Sequence, residues 1–253
     1  MTRGGSIDLN ADVGEGCASD CDLVPLVTSV NIACGAHAGD RDTMRRSVEL
    51  ALRHGAAIGA HPGLADRENF GRKELSISPA AAAGLVMGQA RMLIEVAEEL
   101  GARVGHVKLH GALYNMAARD VELARAVASA LAGESRASGP PLVLIALAGS
   151  VLASVGRDLG LRVVGEAFAD RTYRRDGTLT PRTEPGAVIA DADAAARQAL
   201  RIARDGSVAA ADGAEVRVDA GTLCLHGDGP SAVDFARRIR RELAAAGIDV
   251  VRM

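Results

Sequence analysis

The chain has 253 residues, enough for one α/β barrel or two small domains, and 48% hydrophobic with 24% charged residues marks a globular protein with a large core. A formal charge of −3 argues against a surface built for nucleic acid or anionic membranes. With only 2% aromatics, platforms for stacking bases or sugars are scarce.

The first predicted element covers residues 6–12, where Ile7, Leu9 and Ala11 alternate with Asp8, Asn10 and Asp12. Period 2 means a strand with two unlike faces. A second strand, 29–34, sets Asn31 between Val30 and Ile32 and leads to His37. A helix over 40–54 stops at the glycine of "RHGA", and a third strand, 56–61, ends in His61. The helix over 79–100 stops at "ELGA". The fourth strand, 105–110, puts Lys108 and His110 on one face and Val107 and Leu109 on the other.

After a helix at 119–133 comes "ASGPPLVLIALAGSVLASVG" (137–156), uncharged over about the length a bilayer requires. Pro140 and Pro141 open it and Gly149-Ser150 divides it, so it reads as a buried strand (142–148) and a helix (150–160) capped by Ser150. A sixth strand, 162–168, offers Glu166 and leads to Asp170; a helix follows at 191–205. The central Asp-Gly of 207–222 predicts a small hairpin. The strand at 222–226 leads through His226 and Asp228 into a Gly-x-Gly-Pro turn and a helix over 230–246. That helix start is either an anion site or simply a tight turn, and the final "GIDVVRM" is a candidate further strand.

Strands alternating with helices predict a parallel sheet with helices outside. Without a Gly-rich dinucleotide fingerprint, a closed TIM-like (β/α) barrel of about seven strands is favoured over a doubly wound sheet, as a single domain over 1–253. The polar face of the first strand then meets polar faces of other strands, and active sites of such barrels are built at the strand C-termini. Four histidines, His37, His61, His110 and His226, lie at or just past strand ends within two residues of glycine, so they are read as one site; His54, at a helix end, and His106, at a strand start, are read as structural. Lys108 is one of only two lysines beside Lys73, and an inward lysine is either paired with Asp8 or Asp12 or poised for a developing oxyanion or phosphoryl group. Cys34 and Cys224 read as small buried hydrophobes, and Cys17-x3-Cys21 lacks a second pair for zinc. With no signal-peptide pattern or disulfide framework, the cytoplasm is expected.

The blocks "DLNADVGEG", "VNIACGAHAGD", "GAHPGLADRENFGR", "VKLHGALYN", "EAFADRTYRRDGTLTPRTEPGAVI" and "LCLHGDGPSAV" resemble, in order, the signature blocks of the LamB/YcsF family over essentially the whole chain. One departure is Leu109, where proline is expected before the histidine; it lies on the outward face. The resemblance implies a distorted (β/α) barrel related to polysaccharide deacetylases. It also implies an ATP-dependent 5-oxoprolinase activity, in which 5-oxo-L-proline, ATP and water give L-glutamate, ADP and phosphate, carried out with two further subunits, B and C.

No G-x-x-x-x-G-K-[ST] loop is present, so ATP is expected mainly on the partner subunits and ring opening in the barrel. Asp12, Glu166 or Asp170 are candidate general bases, and His37, His61, His110 or His226 candidate general acids. Lys108 and Arg171 would hold the substrate carboxylate or phosphoryl oxygens, with Asn10, Asn31, His37, Asp170 and Asp228 lining the substrate. The loop 172–182, with Tyr173, Arg174 and Arg182, is a candidate lid or docking surface. Two alternatives are a metal-dependent hydrolase with Asp12, His37 and His61 as ligands, and a non-catalytic subunit that activates its partners.

Overall fold

A computed structural model describes residues 5–137, 141–225 and 232–253. Seven parallel strands close a barrel: β1 (Ser6–Val13), β2 (Ser29–Ala33), β3 (Ala57–His61), β4 (Val104–Lys108), β5 (Val143–Leu147), β6 (Arg162–Phe168) and β9 (Thr222–Leu225). Neighbours pair in that order and β9 returns to β1, with Asp8 opposite Thr222 and Ala11 opposite Leu225. The last segment adds β10 (Asp249–Val250) beside Ser6 and Ile7, so it extends β1 at its start and does not close the barrel. Residues 207–222 form the expected hairpin, antiparallel β7 (Ser207–Ala209) and β8 (Glu215–Arg217).

The helices are α1 (Asp20–Leu23), α2 (Arg41–His54), α3 (Pro79–Glu99), α4 (Gly111–Ala117), α5 (Val121–Ala137), α6 (Val151–Asp158), α7 (Ala192–Asp205) and α8 (Ala232–Ala245). Local chemistry sets their ends. Asp40, Ser78, Ser150 and Asp191 each accept a backbone N–H at a helix start, and α2 stops where Gly55 takes φ 67°. Helix α3 is long and apolar enough by composition to cross a bilayer. It lies instead between α2 and α5 and buries Val86, Ala90, Leu93 and Val96. Within the described part of the uncharged stretch that mimics a span, Val143–Leu147 forms β5 and Val151 opens α6.

Two elements go beyond the expected order. Helix α1, continued by a 3-10 turn (Val24–Leu26), fills the β1–β2 connection, and α4 begins directly after His110. The apolar core lies between the outward strand faces and the helices, where Leu9, Val30, Ile32, Val107 and Leu223 are buried. Inside the barrel the register brings Asp8, Asn10 and Asp12 to the level of Ser29, Asn31 and Thr222 on the neighbouring strands. The β5 positions at the same levels as His106 and Lys108 are Val143 and Ile145, so the interior is polar on one side and apolar on the other.

Candidate active site

The barrel interior is a continuous hydrogen-bonded stack. At its base Asp8 accepts from Ser29 at 2.6 Å, from Thr28 at 2.8 Å and from Thr222. Burial pushes the Asp8 carboxyl above its ordinary range despite these donors. One level up, the Asn10 amide donates to Thr222 at 2.7 Å and Glu166 at 3.1 Å, while Asn31 donates to Asn10 at 2.7 Å and Asp12 at 2.9 Å. His106 faces inward at the same level, with Nε2 2.9 Å from the Asn31 oxygen. Gly59 makes room for that ring: a Cβ there would stand 1.9 Å from His106 Nε2. Burial, helped by the Lys108 charge, pulls the His106 pKa down to about 3, so the ring is neutral.

Lys108 closes β4 at the top of this stack. Its ammonium lies 2.9 Å from Asp12 and 2.9 Å from Glu166, and 3.0 Å from the Cys224 sulfur. Burial alone would depress it, but Asp12, Cys224 and Glu166 outweigh burial and hold its pKa well above normal. Glu166 is shared: Tyr114, from α4, donates to its other oxygen at 2.8 Å. Asp12 is an expected partner of Lys108; Glu166 and Tyr114 are not.

Above the lysine three rings crowd one carboxylate. His37 and His110 stack with centroids 3.7 Å apart, and His61 stands edge-on to both. The carboxylate is Glu15, 3.2 Å from His37, 3.2 Å from His110 and 3.8 Å from His61. Gly14 at φ 73° and Gly16 at φ 87° turn the chain after β1 so that Glu15 folds back over the mouth. Sequence reasoning misses Glu15, whose one signal is a carboxylate between two glycines at a strand end. Burial works to raise the Glu15 carboxyl, but hydrogen bonding from His110 and His37 outweighs it and holds it well below the usual range. Burial lowers His37 to about 4 and also lowers His110. Together Glu15, His37, His61 and His110 offer four donor atoms within 4.8 Å of one another, a set that could hold a metal ion. It differs from the expected ligands. His37 and His61 belong to it, but Asp12 spends one oxygen on Lys108 and Asn31, with the other 3.3 Å from His61.

A cavity of about 730 Å³ opens over this floor, reached by Asp12, His61, Lys108 and His110. Arg72, Arg119, Arg171, Arg174 and Arg182 line its walls. Arg171 is buried and spends its guanidinium on the carbonyls of Ala187 and Thr180, and burial beside Arg182 lowers its pKa to about 10. Tyr173 is no lid residue: it is fully buried and its hydroxyl accepts the Phe168 N–H at 2.7 Å. Asp170 is buried next to Arg171, while Asn10 and Asn31 lie beneath the mouth and do not reach the cavity. His54 is exposed in the last turn of α2, as expected. His226 and Asp228 lie outside the described residues.

A seven-stranded parallel (β/α) barrel with an acid–base cluster at the strand C-termini defines the class. The chain belongs to the LamB/YcsF family, whose sequence profile matches residues 7–253. It is 50% identical to the 5-oxoprolinase A subunit of Bordetella pertussis, over 97% of this chain and 98% of that one. Among solved structures it is similar to the lactam utilization protein of Thermus thermophilus, with TM-score 0.88 and 44% identity over 98% of this chain and 100% of that one. The catalytic domain of a peptidoglycan N-acetylglucosamine deacetylase from Eubacterium rectale shares the fold at TM-score 0.52 and 11% identity, over 100% of this chain and 90% of that one.

Proposed function

We propose that this chain is the A subunit of an ATP-dependent 5-oxoprolinase, which opens the lactam of 5-oxo-L-proline to L-glutamate in the cytoplasm together with subunits B and C. The observation that carries this reading is 50% identity, across nearly the full length of both chains, to a protein of that name. The mouth chemistry supports it. A five-membered lactam is a resonance-stabilised amide with a poor electrophilic carbonyl. Phosphorylation of the amide oxygen makes the carbon electrophilic; one water adds to it, the C–N bond then breaks with a proton passing to the nitrogen, and a second water releases phosphate from the acyl phosphate that results.

Asp12, which borders the cavity, takes the proton from the water that adds to the carbon, and His61 or His110 returns one to the ring nitrogen, while Glu166, fully buried and held by Asn10 and Tyr114, serves to position Lys108. Lys108, fixed between two carboxylates, faces the negative charge that develops at the attacked carbon. Arg72, Arg174 and Arg182 on the cavity wall, with Arg171 holding the 171–187 loop in place, receive the substrate carboxylate or phosphoryl oxygens. Asn10 and Asn31 act as positioning residues for Glu166 and Asp12. His226 and Asp228 complete the set by sequence position, directly after β9. ATP is assigned mainly to the partners, because the chain carries no phosphate loop of the G-x-x-x-x-G-K-[ST] type.

The test is to purify the chain and both partners and follow glutamate and phosphate release from 5-oxo-L-proline and ATP. Turnover is expected only in the full mixture. Full turnover by the two partners without this chain would overturn the reading.

A further inference from the structure

We propose that Arg171 and Arg182 form a two-guanidinium clamp for a terminal phosphoryl dianion on the wall of the mouth cavity. The balance of charge around the cavity points to it. Most of the cations that line it are already matched. Lys108 lies between Asp12 and Glu166, Arg119 bonds Glu74 at 2.6 Å, and Arg174 pairs with Glu184. Arg72 stands over the Phe70 ring, 4.9 Å from its centroid. Asp176 lines the cavity too, but it turns back on Thr178 and accepts that residue's hydroxyl at 2.6 Å and N–H at 2.9 Å. Arg171 and Arg182 remain, and neither has a carboxylate partner among the described residues.

Arg171 is a built part of the wall, only 5% exposed. Its Nε donates to the Ala187 carbonyl at 3.1 Å and its Nη2 to the Thr180 carbonyl. Carbonyls orient the guanidinium without neutralising it. Nη1 and the second hydrogen of Nη2 have no acceptor among the described residues, which leaves a donor edge where Arg171 borders the cavity. Burial and then the Arg182 charge draw the Arg171 pKa down to about 10, and the attraction of Asp170 offsets less than Arg182 takes away. Two cations held this close, with no counter-charge, favour an anion between them.

The edge is also fixed in advance. Thr172 N–H bonds the Ala187 carbonyl at 3.1 Å, Thr180 N–H bonds the Thr172 carbonyl at 3.0 Å, and the Thr172 hydroxyl lies 2.9 Å from the Thr180 hydroxyl and 2.9 Å from the Gly186 carbonyl. A loop stitched in this way loses little freedom when a ligand arrives. A carboxylate would match one of the two guanidiniums. A phosphoryl group, with about −1.5 to −2 charge and three acceptor oxygens, matches both. Two carriers share that chemistry: the activated lactam with the phosphate it releases, and a nucleotide. The proposal rests on the oxoprolinase reading only in naming these carriers.

The experiment uses the full chain without partners or lactam, titrated at fixed ionic strength with inorganic phosphate, acetate and ADP by calorimetry and thermal melting. Phosphate is expected to raise the melting temperature and to bind at least about tenfold tighter than acetate, the worth of one further charge-assisted contact. Arg182→Gln, at an exposed position, should weaken phosphate binding by about tenfold or more, and so should Arg171→Lys where melting shows it folded. Arg175→Gln removes the same charge from a side chain outside the cavity lining and should leave the affinity unchanged. ADP that displaces phosphate and depends on Arg182 supports the clamp and assigns it to a nucleotide. Phosphate binding undisturbed by ADP supports it and assigns it to the lactam. Phosphate no tighter than acetate, an unchanged affinity in Arg182→Gln, or an equal loss in Arg175→Gln would each overturn the proposal. Lactam turnover enters none of these measurements, so the clamp and the oxoprolinase reading can fail separately.

Discussion

At the scale of single residues, Lys108 is the cation on which two buried carboxylates depend. Lys108→Met should abolish glutamate formation by the assembled enzyme. It should also destabilise the fold by about 3–5 kcal/mol, because Asp12 and Glu166 lose their counter-charge. Those orphaned carboxylates would titrate above their unfolded values, so the variant's deficit should shrink as pH falls, and denaturant melts at two pH values test this. A deficit that is the same at both would mean the two carboxylates are compensated elsewhere. The histidines act in the opposite sense. His106 and His37 are lowered to about 3 and about 4, and His110 is also lowered, so the unfolded chain binds protons that the folded chain refuses. Stability should therefore be full above about pH 6.5 and fall as pH drops through the window down to about 4 in metal-free protein, with a slope approaching about 4 kcal/mol per pH unit if all three contribute. His106→Asn should remove about one proton from that slope, and an unchanged slope would mean the ring is charged in the folded state.

At the scale of elements, β3 and β4 are fitted to each other through one absent side chain. Gly59→Ala would drive a methyl group into the His106 ring and should cost at least about 3 kcal/mol, the upper range of overpacking. Adding His106→Ala should recover part of that loss, a coupling of about 0.5–3 kcal/mol in a double-mutant cycle. Additive losses would place the strain elsewhere. This pairing also shows what the sequence makes legible. Alternation within β1 and β4 is enough to place their polar residues inside, and helix ends are marked by Ser150 and Gly55, so the order of the barrel strands and the longer helices is readable. His37, His61 and His110 are legible as one site because strand termini converge in a barrel. Glu15 is not, because a carboxylate between glycines reads equally well as a solvated turn. Tyr114 is hidden for a different reason: α4 is seven residues long and His110 makes no side-chain cap, so neither length nor capping announces the helix that carries it. The partnership of Lys108 with Glu166 spans the barrel from β4 to β6, and alternation within a strand says nothing about which residue stands across the interior.

At the scale of the whole molecule, a chain with net charge −3 concentrates arginines at its candidate functional mouth. Screening should therefore weaken capture of an anionic substrate: KM for 5-oxo-L-proline in the assembled enzyme should rise several-fold with ionic strength while kcat changes little. A salt-independent KM would assign the wall arginines to partner docking instead. The way the barrel is sealed has a consequence for biosynthesis. The polar stack inside β1 is completed by β9, through Asn10 to Thr222 across 212 positions and Thr222 to Asp8 across 214. Until Thr222 leaves the ribosome, Asp8 and Asn10 lack these partners, and the strand made first cannot settle. The nascent chain should stay open to protease until β9 and α8 have emerged, then close in a single late step, so that released chains truncated before Thr222 are degraded and chains truncated after α8 are not.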